Sequence, residues 1–428
     1  MEILWPHIRK KVFSRSTYAP PSIGPLAVVD RLPKAPRTDD LRSRSELDHE
    51  PFNARGSAFH RKFCDFYQFS WQWFLAQASP ASNGEPVFAQ NRVYQPAGGN
   101  DQCADPAITG LLGAAEALQA RAIKPSQFEE AQADGNAVYD QNGNVLYYNA
   151  FYSQELCNST AEGFAPGTLE AKVSWAILEE GTHHTYFTMD TVLPGHEDQV
   201  TLGLLGIHLA IWTPNHPEMI WATWEHKTNA PLCNGSSATT GWTLASDEAA
   251  SCLAANTHSQ SGPPSSECDS FAFNTPVSQS GAPAPTGNPN NVCRQFAYGN
   301  QDGTAVNGND NAANVAAITE LNEALVGANG LLTNLPADNP LAVWSNYEMI
   351  GAIWTKDGAD SGPPPVPSRQ GPADADSPQR GSLELANMSM ETFQQGDTSY
   401  IPNCFGCHNY EAANPLTVSH IQSRLLPQ

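Results

Sequence analysis

Two stretches decide the fold: Gly203-Leu204-Leu205-Gly206-Ile207-His208-Leu209-Ala210 and Trp221-Ala222-Thr223-Trp224-Glu225-His226-Lys227. Both are dense in branched and aromatic residues, which suit a pleated, half-buried surface. They lie within two longer strand-like runs, Val200 to Trp212 and Glu218 to Lys227. Lys172 to Leu178 and His184 to Val192 have the same character. Spacings of about eight to fifteen residues with short connections predict an antiparallel sheet. Upstream, Ala137-Val138-Tyr139 and Val145-Leu146-Tyr147-Tyr148 flank Asp140-Gln141-Asn142-Gly143, and Asn-Gly between apolar runs signals a hairpin. Leu341 to Trp354 returns to apolar, strand-like sequence.

Helical spacing appears in three places. From Phe63 to Ala78, Phe66, Tyr67, Phe69, Trp71, Trp73, Phe74 and Leu75 recur as an aromatic stripe, the pattern of a core-facing helix. Asp105 to Ala122 opens with Asp105-Pro106 as cap and first helical residue. Asn311 to Val326 carries Val315, Ile318, Leu321, Leu325 and Val326 on one face.

The predicted class is α+β: a β-rich antiparallel central domain with a few helices, a long disulfide-pinned loop insertion and, from the C-x-x-C-H string Cys404-Phe405-Gly406-Cys407-His408, a C-terminal haem-binding tail. Residues 1–58 read as an irregular tail punctuated by Pro20-Pro21, Pro25, Pro33 and Pro36. Residues 59–355 form the main domain, and 234–311 within it is a Ser/Gly/Pro-rich insertion. Residues 356–381, with Pro363-Pro364-Pro365, read as a linker, and 382–428 as the haem-attachment segment.

Charge narrows the partners. Lys and Arg number 22 against 44 acidic residues, for a net charge of −22 over 428 residues. Nucleic acids and anionic membranes select basic surfaces, so neither is an expected partner; a charged partner would be basic. There is no membrane-spanning run, and Met1-Glu2-Ile3-Leu4-Trp5 begins no visible signal peptide.

Nine cysteines occur, at 64, 103, 157, 233, 252, 268, 293, 404 and 407. Setting aside the last two leaves seven, enough for three disulfides, an ordinary load in an oxidising compartment. The tetrad Cys233, Cys252, Cys268 and Cys293 lies in the polar insertion and is expected to pair within itself, in a connectivity that spacing does not give.

The last two cysteines form Cys404-Phe405-Gly406-Cys407-His408, the C-x-x-C-H attachment signature of a c-type haem. In that reading Cys404 and Cys407 carry the single covalent haem and His408 is an axial iron ligand. A zinc site would need a second C-x-x-C or a histidine pair, and no second C-x-x-C exists. A thiol–disulfide pair is the other competing chemistry. Only twenty residues follow His408, too few to wrap a haem, so the second ligand must come mostly from upstream. Met390 or Met388 is the candidate for that position, with core packing as the plainer role of each; His420 is the downstream imidazole. His208, Glu225 and His226 are candidate acid/base residues, because antiparallel pairing can bring His208 and His226 to one face; the plainer reading is a hydrogen-bonded core histidine.

The segments Phe69-Ser70-Trp71-Gln72-Trp73-Phe74, Gly206-Ile207-His208, Ile220-Trp221-Ala222-Thr223-Trp224-Glu225-His226, Trp344-Ser345-Asn346-Tyr347-Glu348 and Leu385-Ala386-Asn387-Met388-Ser389-Met390-Glu391-Thr392-Phe393, taken with the C-terminal motif, resemble a group of bacterial exported proteins of the cytochrome c family. That resemblance implies one haem c on Cys404, Cys407 and His408 and a periplasmic address. Two functions follow as expectations. The first is a periplasmic or secreted monohaem protein in electron transfer or haem-dependent redox catalysis, working with a redox partner. The alternative is a secreted binding or scaffold protein with Cys404–Cys407 as a disulfide and no cofactor.

Overall fold

The computed structural model describes residues 58–81, 83–94, 103, 129–130, 135–160, 163–181, 183–193, 196–277, 283–302, 309–356, 377–395, 403–408 and 415–422. The N-terminal tail, the helix expected over Asp105 to Ala122 and most of the Pro-rich linker lie outside them.

Branched and aromatic runs pair as their pattern predicts, into one eight-stranded antiparallel sheet. Its strands are β1 (Arg92–Val93), β2 (Tyr147–Tyr152), β3 (Leu169–Ile177), β4 (Thr188–Thr191), β5 (Val200–Thr213), β6 (His216–His226), β7 (Tyr347–Thr355) and β8 (Gln379–Gly381). The order is β1-β2-β3-β5-β6-β7-β8, and β4 also pairs with β5. Three expectations shift in detail. Around His184 the chain makes a single 3₁₀ turn, His183–Thr185, before the short β4. Leu341 to Asn346 is mostly 3₁₀ helix ahead of β7. β8, placed in the linker by composition, pairs Ile353 with Gly381 and Thr355 with Gln379. At the Asn-Gly site the Asp140 carboxylate accepts from the N–H groups of Asn142 and Asn144. Gly143 there has φ 79°, a conformation glycine takes without strain.

The two sheet faces are covered differently. One packs on α1 (Ala58–Ala78) and α3 (Asn311–Val326), with α2 (Asp247–Ala255) lying between them in sequence. Alternation puts Val173, Ile207, Leu209, Ile220, Ala222 and Trp224 on this face, in one cluster with Trp71, Phe74, Ile318 and Leu321. Trp224 is fully buried, stacked on Phe74 at 4.6 Å and edge-on to Trp71 at 5.7 Å. The opposite face meets the C-terminal segment, residues 379–395, 403–408 and 415–422, in clusters containing Ala210, Trp221, Ile353, Leu385 and Phe405, and Leu205, Tyr148, Met388 and Met390.

The insertion is pinned as its cysteines suggested. Cys233–Cys293 and Cys252–Cys268 close within the tetrad, and Cys103–Cys157 supplies a third bridge. Ser246 caps α2 by accepting from the Ala249 N–H. Among the described residues no helix is long and apolar enough to cross a membrane.

Since Trp224 joins sheet to helix, Trp224→Ala should lower unfolding free energy by about 3–5 kcal/mol, read as a lower urea midpoint at unchanged slope.

Candidate functional site

The C-terminal motif folds as a single helical turn, α4 (Cys404–Cys407), on the sheet face away from α1. Asn403 caps it: its side-chain oxygen accepts from the Phe405 N–H, and its amide donates to the Gln379 side chain and the Leu383 carbonyl, each at 2.8 Å. Phe405 is fully buried and anchors the turn among Trp221, Leu416, Val418 and Ile421. Cys404 and Cys407 are partly exposed, and neither is in a disulfide. Burial pushes the Cys404 thiol up, with smaller contributions from Glu391 and Cys407.

His408 ends the turn. Its ring lies 4.1 Å from Trp221 and 4.3 Å from His420, centroid to centroid. Burial, then the neighbouring His420, holds the His408 pKa well below the usual histidine range. The ring is therefore neutral, and with Nδ1 donating to the Val418 carbonyl at 2.9 Å the lone pair sits on Nε2. That nitrogen can accept one hydrogen bond or serve as one ligand.

β3 and β5 bring a polar group to the same face, since Lys172 pairs with His208 in register. His208 Nε2 donates to both carboxylate oxygens of Glu391 at 3.0 Å. Burial raises the Glu391 carboxyl, but His208, Lys172 and the Asn387 N–H outweigh it and bring the carboxyl below its ordinary value. Lys172 Nζ lies 5.5 Å from the Tyr148 ring centroid. Two residues along β3, Glu170 accepts a hydrogen bond from the Ser419 hydroxyl. Burial raises the Glu170 pKa to about 7, against the lowering effect of that bond.

The other candidate residues stand elsewhere. Glu225 is buried and accepts from Arg294 Nη2 at 2.6 Å, from the Met388 N–H at 2.8 Å and from Asn229 at 3.2 Å. Its bonds are all internal. His226 stacks on Tyr186 at 4.0 Å; its Nε2 donates to the Thr185 carbonyl, and its Nδ1 accepts from the Thr228 N–H. Burial brings its pKa to about 4, which the Thr185 bond only partly offsets. His226 is a satisfied core histidine. It also lies on the opposite face from His208, because His208 pairs with Thr223, three residues away from it along β6. The expected shared face is corrected by that register.

Met388 and Met390 are fully buried with Val138, Leu146, Tyr148 and Leu205, whereas Cys404 and Phe405 belong to a separate cluster. Among the described residues no three His, Cys, Asp or Glu side chains converge where they could hold a metal ion. The monohaem electron-transfer or redox reading is corrected on that ground, and among the described residues the cysteines form three disulfides. The disulfide-bonded alternative fits better, with one change: the Cys404–Cys407 bond it assumed is open. No family model, curated protein or solved structure matches this chain.

Sequence reading did not single out Lys172, Glu391 or Glu170. The strand pairing that groups them is long-range, and only the alternation in Lys172 to Leu178 hinted at which face Lys172 would take.

Two predictions follow from these buried charges. Glu225→Ala leaves Arg294 buried without its partner and should cost about 3–5 kcal/mol; Arg294→Met on that background should recover part of the loss in urea unfolding. Glu170 binds its proton more tightly folded than unfolded between about pH 4.5 and about pH 7, so its contribution makes stability fall as pH rises through that window. Glu170→Gln should flatten that slope and raise stability above it by on the order of 3 kcal/mol, measured as unfolding free energy against pH.

Proposed function

We propose that this chain is a periplasmic or secreted binding protein, an α+β scaffold held by disulfides, that recognises its partner through the face carrying the C-terminal segment. The observation that carries the reading is the set of three disulfides. Two staple the polar insertion, and the third joins Cys103 to Cys157. Such bridges persist where the compartment is oxidising, and they stabilise loop-rich segments that bury little apolar surface.

The surface is of mixed character. Lys172, His208 and Glu391 supply charge and hydrogen bonds, and His420 stacks on the partly exposed His408. The net charge of −22 favours a basic partner on electrostatic grounds.

The test is a non-reducing peptide map of the exported, purified protein with a visible absorption spectrum. The expected result includes the bridges Cys103–Cys157, Cys233–Cys293 and Cys252–Cys268, and no Soret band. Unpaired cysteines at those six positions, or a covalently retained chromophore, would overturn the reading. Reduction and alkylation of the three bridges should lower the thermal midpoint, each native bridge contributing about 2–5 kcal/mol.

A further inference from the structure

We infer that Cys404 and Cys407 form a reversible dithiol/disulfide site, a fourth bridge that closes and opens while the other three stay shut. The inference rests on the oxidising setting proposed above and adds a chemical activity to the same face.

Three observations point to it. The pair occupies the first and last positions of one helical turn, and the His408 N–H donates to the Cys404 carbonyl at 2.8 Å, which fixes the turn's pitch. Residues three apart on such a turn have Cα atoms about 5 Å apart, inside the range a disulfide spans. Neither Cys404 nor Cys407 is in a disulfide, in a molecule where Cys103, Cys157, Cys233, Cys252, Cys268 and Cys293 are all bonded. Finally, the turn is held from outside the pair: Phe405 is buried beneath it, Asn403 caps it, and His420 Nε2 donates to the Cys407 carbonyl at 3.2 Å. Closing the bond thus needs side-chain rotation rather than refolding.

The step is thiol–disulfide exchange with a disulfide oxidant, either a small molecule such as glutathione disulfide or a protein disulfide. One thiol of the pair loses its proton and attacks the oxidant's S–S bond, forming a mixed disulfide and releasing one thiol. The second attacks the mixed disulfide, forming Cys404–Cys407 and releasing the other. The pair loses two hydrogens, and the oxidant becomes two thiols. The partner class is therefore a disulfide or, in reverse, a dithiol.

The test uses the full chain, equilibrated in glutathione buffers from reducing to oxidising, quenched by alkylation and digested with trypsin. Cleavage after Arg380 and Arg424 yields a peptide whose only cysteines are Cys404 and Cys407. The expected result is a two-alkyl peptide that converts in one step to an intact-disulfide peptide two hydrogens lighter than the dithiol, while the three other bridges remain closed across the transition. Cys404→Ser and Cys407→Ser should each give a single glutathione adduct instead. A peptide that stays dithiol at the oxidising end would overturn the inference. So would bonding of either thiol to Cys103 or Cys157, whose bridge packs in the same apolar cluster as Cys404, or a covalent adduct heavier than glutathione. Loss of the other three bridges under oxidising conditions would instead refute the binding-protein reading, whatever the state of this pair.

Discussion

The Glu225 carboxylate is where three parts of the chain meet. It projects from β6, the second central strand of the sheet, and is 2% exposed. A buried carboxylate is tolerated only when paired and hydrogen-bonded. Here Arg294 supplies the charge, Asn229 a side-chain amide and Met388 a backbone N–H. Arg294 follows Cys293, whose disulfide to Cys233 ties the insertion back to the end of β6. Its other guanidinium nitrogen donates to the Ala386 carbonyl at 2.9 Å. Sheet, insertion and C-terminal segment therefore share one ion pair, and none of the three can be displaced without leaving a charge unpaired.

The same logic extends along that face. Asn387 donates to Thr223 at 2.8 Å and its oxygen accepts from Ser389. Ser174 and Ser389 hydroxyls meet at 2.6 Å, and Tyr148 donates to the Ser389 carbonyl at 2.9 Å. Gly206 faces this loop; a Cβ there would come within 2.7 Å of the Asn387 amide. The far face is closed by interlocking aromatic rings, which any well-filled apolar surface can supply. This one adds directional bonds to its apolar contacts, and those bonds accept a single arrangement of the C-terminal segment.

That difference explains what the sequence disclosed. The strands and α3 were legible because burial on a periodic element leaves a periodic trace, and the tetrad was legible because cysteines in a polar stretch have few other uses. A segment docked by hydrogen bonds leaves no such trace, so residues 382–428 read as a tail, and Met388 and Met390 as ligand candidates with core packing as their plainer role. The separation of His208 from His226 was available from Pro214-Asn215. A two-residue turn pairs Thr213 with His216, which makes paired residue numbers sum to an odd value. Two even-numbered residues on the paired strands then face opposite sides.

The C-x-x-C-H string carries a related lesson. Its spacing specifies only that two thiols and an imidazole follow one another around a turn, and several chemistries share that requirement. What separates them is supplied from elsewhere in the chain. Trp221 and His420 flank the imidazole, the Val418 carbonyl accepts a hydrogen bond from its Nδ1, and the methionines nearest in sequence are committed to packing against Tyr148 and Leu205. Among the described residues no further donors converge with the two thiols to complete a metal site. A motif read by spacing thus acquires its chemistry from the face it docks on, and on this sheet that face is organised around Glu225, on β6, whose partners Arg294 and the Met388 N–H fix where the segment lies.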